Sequence, residues 1–177
     1  MGRPFYRVKQ FLATYKSKLS YSEVEFVRKH LGHQGQILFY RMQGFDQRHA
    51  LMVAHKCLEK TRSTDWVDEN VMAKSALLHD VGKSSKNIGV LSRVLYVMLS
   101  SIKEGKFLDK FEKRKSIIPF RDNLFILHNH GPIGANMLMD VGVQDRAILE
   151  TLATHHEKPS MNENKMLPIL REVDGQL

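Results

Sequence analysis

Seven residues of metal-ligand type are distributed along this chain: His49, His79, Asp80, His130, His155, His156 and Asp174. Neutral imidazoles and carboxylates together are the ligand set of a divalent transition metal. His79 and Asp80 are adjacent, within LLHDVGK at the end of an apolar stretch, and the other five flank them at long range. A lone His-Asp dipeptide means little. The same dipeptide with ligand-type sites both upstream and downstream points to a metal centre. Such an ion lowers the pKa of bound water from about 15.7 toward roughly 7, which suits hydrolysis at neutral pH.

Ligands so far apart must be brought together by helices, and residues three or four apart share a helical face. His79 follows Met72, Ser75 and Ala76 and continues an inward face; His155 and His156 extend the face of Ile148, Leu149 and Leu152. Asp174 lies four after Leu170 and seven after Leu167, a carboxylate on an apolar side whose burial would be costly without a partner. His49 shares a face with Met52 and Val53, and His130 precedes Gly131-Pro132, which suits a helix start. His30, His33, His55 and His128 lack such placement and read as ordinary surface or core histidines.

The elements that carry these residues are helical throughout. Phe5–Tyr15 has helical apolar spacing, Ser20 and Glu23 form a capping-box pattern, and Gln36–Met42 is a short apolar turn or helix. Gly44 then separates this leader from the rest of the chain. Asp46 is placed to cap a helix through about Lys60, a polar loop covers Thr61–Asp65, and the next helix ends at His79, with Gly82 stopping or bending the chain. Residues 103–115 are a charged connection. Phe120–Leu127, Pro132–Met139, Asp145–Thr154 and Lys165–Val173 are further helices. No segment alternates as a strand does, so the fold expected is an all-α bundle of six or more helices.

Composition bounds the class. With 177 residues, 42% hydrophobic and 26% charged, one domain with a proper core is the simplest reading. Cys57 is the only cysteine, which excludes an internal disulfide and makes a reducing, cytoplasmic compartment the natural expectation. No signal pattern is evident. The apolar run IGVLSRVLYVMLSSI, Ile88–Ile102, is interrupted by Arg93 and falls short of the roughly 20 residues that a membrane span needs. It reads as a buried or partner-facing helix. Net charge is +8, with eight Lys/Arg against two Glu in residues 1–44. A solvated basic surface is preferred there over a nucleic-acid arm, which this segment would have to supply. No P-loop and no GxGxxG occurs, so kinase and nicotinamide chemistry are unsupported.

QRHALMVAHK, LLHDVGK, HGPIGANML, ATHHEK and ILREVD, in that order, resemble the HD-domain superfamily of metal-dependent phosphohydrolases, closest to its HDIG subgroup with Val81 in place of Ile. The resemblance covers residues 45–177 and leaves 1–44 as a basic helical leader packed on that domain. It implies a small all-α bundle with one or two metals, Fe, Mn, Ni, Co or Zn. It also implies that His49, His79, Asp80 and Asp174 hold the first ion, and His130, His155 and His156 the second, with Asp80 bridging. Lys83 matches a lysine that contacts substrate phosphate, so Asp80 and Lys83 are the catalytic residues expected. The segment EKPSMNENK after His156 lacks the GYP signature of cyclic-di-GMP phosphodiesterases.

The leading expectation is therefore hydrolysis of a phosphate mono- or diester, of a nucleotide by preference, by a metal-activated hydroxide. A di-iron oxygen-activating enzyme on the same fold, and a nucleotide-sensing module without turnover, are the alternatives.

Overall fold

Ser20 opens the first helix as its sequence suggests. Its Oγ accepts from the Glu23 amide at 3.3 Å and Glu23 Oε2 accepts from the Ser20 amide at 2.7 Å, the reciprocal capping box. The computed structural model describes residues 18–62, 64, 66–100 and 119–177. The expected helix at Phe5–Tyr15 and the connection at 103–115 lie outside these.

Nine α-helices and one 3-10 turn form among the described residues, with no strand: α1 Tyr21–His30, α2 His33–Arg41, α3 Gly44–Thr61, α4 Glu69–Leu78, the 3-10 turn Val81–Ser85, α5 Val90–Ser100, α6 Pro119–His128, α7 His130–Asp140, α8 Arg146–Thr154 and α9 Met166–Gln176. The chain is all-α. Asp68 and Asp145 each accept two backbone N–H bonds ahead of α4 and α8, satisfying donors that a helix start leaves open.

Asp46 does not cap its helix. The helix begins earlier, at Gly44, and Gln43 spends its side-chain amide on Asn87 Oδ1 at 2.9 Å and Ile88 O at 3.1 Å. Asp46 falls in the first turn, buried against Arg93. Gly44 is accordingly a helix-start residue rather than a separator.

Helix α3 packs along α4, α4 against α8, and α8 against α7; α9 crosses α3 and α8. Leu51, Met72, Leu77, Leu138, Leu152 and Leu170 are fully buried at these seams, as the spacing of their apolar faces requires. Val27, Leu31, Leu38, Phe39 and Met42 from α1 and α2 join the same core. In α5, Ile88 just before the helix is buried whereas Leu91 is 79% exposed. No helix of the described residues is long and apolar enough to cross a membrane.

Candidate metal centre

Three helix ends and the faces of two further helices converge. His79 is the residue after α4, Asp80 precedes the 3-10 turn, His130 starts α7, and His155 follows α8. His49 on α3 and Asp174 on α9 complete the ring, held by the buried Val53 and by Leu170 and Val173 beside them.

The first group is His49, His79 and Asp174, whose donor atoms all lie within 4.8 Å of one another. His49 Nε2 is 2.8 Å from Asp174 Oδ1, and His79 Nε2 is 3.6 Å from both Asp174 Oδ1 and Asp80 Oδ2. The second group is His130, His155 and His156, again within 4.8 Å. His130 Nε2 is 3.2 Å from His155 Nε2 and 3.0 Å from His156 Nε2. His156 is exposed as a residue, yet its ring turns inward to make that contact. Asp80 stands between the groups: Oδ1 lies 3.0 Å from His130 Nε2, and Oδ2 lies 4.0 Å from His49 Nε2.

The tautomers follow from the backbone. His79, His130 and His155 each place Nδ1 against the carbonyl three residues earlier: Ala76 O at 2.8 Å, Leu127 O at 2.7 Å and Leu152 O at 2.7 Å. A carbonyl only accepts, so each Nδ1 carries the proton. In the neutral ring that leaves Nε2 as a bare lone pair facing the site, the arrangement that metal-ligating histidines use. His79 Nε2 is buried without a hydrogen-bond partner.

Electrostatics then divides the groups. For His79, burial disfavours the cation, but the Asp80 and Asp174 carboxylates outweigh it and push the pKa up to about 9. For His155, burial and the neighbouring His156 and His130 hold it well below its ordinary value; His156 is brought down to about 3 by burial and His130. His130 is lowered by burial and by the Lys83 charge. Asp80 stays ionised well below the usual range despite burial, through Lys83, His79 and His130; Asp174 does so through His49 and His79. The buried Asp80 and half-buried Asp174 carboxylates, converging with His49 and His79, fit a divalent cation that would take the place of the His79 proton. Three clustered lone pairs that do not take up protons fit one also. Two nitrogens roughly 2.0–2.1 Å from one ion and at right angles would sit about 3 Å apart, matching the spacing around His130.

Lys83 Nζ donates to Asp80 Oδ2 at 2.7 Å, which places its charge at the edge of the groups. Burial would lower its pKa, but Asp80 and Asp46 outweigh burial and raise it. Cys57 is buried, and burial and Asp174 push its thiol up to about 12, so it is inert at neutral pH. His30 and His55 flank Phe26 away from both groups.

Sequence reasoning missed two features. One is the buried Asp46–Arg93 pair, signalled by Arg93 interrupting an otherwise apolar run. The other is a set of glycines that let the elements close. A Cβ on Gly82 would lie 1.9 Å from His130 O, one on Gly131 2.6 Å from Leu152 O, and one on Gly134 3.1 Å from the Gly82 amide. Gly131 adjoins His130 and Gly82 lies two residues past Asp80, which was a readable signal; Gly134, a turn into α7, gave none.

A family model described as HD domain matches residues 47–174, a span that runs from just before His49 to Asp174. No curated protein and no solved structure matches the chain. With its helical bundle and its paired histidine groups, the chain belongs to the HD domain family, whose members bind divalent metals and are mostly metal-dependent phosphohydrolases.

Proposed function

We propose that this protein hydrolyses a phosphate mono- or diester, with a nucleotide as the preferred substrate class, at a centre of two divalent transition-metal ions. The observation that carries the reading is Asp80, whose two oxygens face different histidine groups. His49, His79, Asp80 and Asp174 would hold one ion, and His130, His155 and His156 the other, with Asp80 shared. Imidazole and carboxylate donors suit Mn, Fe, Co, Ni or Zn. When bound, such ions supply Lewis acidity, drawing the pKa of water toward neutrality and neutralising phosphate oxygens.

The chain supplies the rest. The Ala76, Leu127 and Leu152 carbonyls fix three imidazoles in orientation and tautomer, so little reorganisation accompanies catalysis. Lys83 offers a point charge to the non-bridging oxygens of a phosphate at the Asp80 edge. Residues 45–177 serve as the catalytic unit. The leader braces it where Glu23 pairs with Arg48, the neighbour of His49, and where Arg48 Nη2 donates to Lys18 O at 3.0 Å.

The test is metal analysis of the purified protein, then a phosphate-release screen across nucleotides and phosphodiesters with each metal restored after chelation. Release that disappears on chelation and returns with metal supports the reading. No release with any metal, combined with oxygen consumption by the iron form, would replace it with the di-iron alternative.

A further inference from the structure

Arg171 on α9 holds the end of α8 from outside the ligand groups. Its Nε donates to His155 O at 3.2 Å and its Nη2 to Thr154 O at 3.1 Å. Its Nη1 donates to Glu163 Oε2 at 2.6 Å, and that oxygen also accepts from the Ser160 amide at 3.2 Å. The last carbonyls of a helix have no partner within it, and a cation there meets the negative end of the helix dipole. A lysine could serve the end of α8 as a point charge. The planar fork of an arginine fixes the direction of all three bonds, which a rotatable ammonium does not.

His156 is the residue that needs such a hold. The rings of His79, His130 and His155 are each aimed by an Nδ1–H bond to a carbonyl three residues earlier. Among the described residues no carbonyl does this for His156, whose ring meets His130 Nε2 at 3.0 Å. That contact cannot aim the ring once an ion is bound, because the ion needs the lone pairs of both nitrogens. The direction of His156 is then set by its backbone. The peptide that enters His156 carries the His155 carbonyl, and Arg171 holds that carbonyl.

We propose, resting on the two-ion reading above, that Arg171 is a positioning residue for the second ion: its grip on the Thr154 and His155 carbonyls aims the His156 imidazole. Arg171 and Asp174 are three apart on α9 and share a face. One helix thus sends a carboxylate to the first group and a guanidinium to the backbone of the second. An arginine that merely stapled α9 in place would act differently. Its loss would shift Asp174 and weaken the first ion, whereas loss of an arginine that aims His156 weakens the second.

The experiment is calorimetric titration of Co2+ into the chelator-stripped full chain, with circular dichroism to confirm folding. Arg171→Lys keeps a cation that can pair with Glu163 but loses the fork. It should bind the first ion as wild type does and the second about 10–100-fold more weakly, the usual loss when a partner that orients a ligand is removed. The first ion is identified as the one that His156→Ala retains. Wild-type affinity for both ions in Arg171→Lys, or a loss that falls on the first, overturns the proposal. In a His156→Ala background Arg171→Lys should cause no further loss, because its effect passes through His156; a further loss overturns it. Glu163→Gln leaves both carbonyl bonds in place and should keep both ions, so a loss there as large as in Arg171→Lys overturns it too. If Arg171→Lys does not fold, Arg171→Gln should show the same selective loss, and wild-type affinity there overturns the proposal. A wild-type chain that takes up a single Co2+ overturns instead the two-ion reading, a result seen before any change at Arg171.

Discussion

Asp80 Oδ1 lies 3.0 Å from His130 Nε2, while the other oxygen of the same carboxylate faces His49 and His79. One side chain therefore touches both histidine groups, whereas His156 touches only the second. Asp80→Asn should strip both ions, and His156→Ala should leave the first in place. Elemental analysis after gel filtration reads this directly. An Asp80→Asn protein that keeps its full metal content would show that Asp80 is not shared.

Protons compete with metal for His79, and the sign can be worked out. Its folded pKa, raised to about 9 in the metal-free chain by Asp80 and Asp174 against burial, exceeds the unfolded value of about 6.5. The stabilisation, on the order of 3 kcal/mol, is full below pH 6.5 and is lost as pH rises through 9. His156, lowered to about 3, works the other way: its contribution is present above 6.5 and is lost as pH falls toward 3. The Tm of chelated protein should thus peak near pH 6.5. Metal restored to saturation should flatten the alkaline limb, since His79 then has no proton to lose. A chelated protein whose Tm keeps rising from pH 6.5 to 9 would contradict the assignment.

Lys83 is three residues past Asp80 and bonded to it, but it belongs to neither histidine group. Lys83→Ala should therefore keep its metal and lower kcat by about 10²–10³, the usual loss for one preorganised charge. Wild-type turnover on the best substrate found would make Lys83 an ordinary lysine at the end of a helical turn.

Helix positions were legible because their signals are local. Ser20-Glu23, Asp145 and the apolar spacing around Leu170 each declare themselves within one or two turns. The convergence of His49, His79 and Asp174 was legible for a related reason: each continues an apolar face, and buried faces must meet. Asp46 was misread because capping is a local pattern, whereas its partner Arg93 lies on another helix, and a cation that interrupts an apolar run does not declare which acid it will meet. The proton positions on His79, His130 and His155 were also beyond reach, since they depend on which carbonyl each ring meets.

Gly82 offers the sharpest test of how the two groups are held together. Its missing side chain lets the 3-10 turn that follows Asp80 lie against the start of α7, with Cβ space only 1.9 Å from His130 O and 2.8 Å from the Gly134 amide. Both obstacles are backbone, so no side chain can swing aside, and overpacking of this kind costs at least about 1–3 kcal/mol. Gly82→Ala should push α7 away from the turn and widen the 3.0 Å separation of Asp80 and His130. Tm should fall, and metal titration should show the second ion bound much more weakly than the first. Gly175→Ala is the control: nothing lies within 4 Å of its Cβ position and it sits inside α9, so Tm should hold or rise slightly. If Gly82→Ala binds both ions as tightly as wild type, the close approach of the turn to α7 does not set the spacing of the two groups.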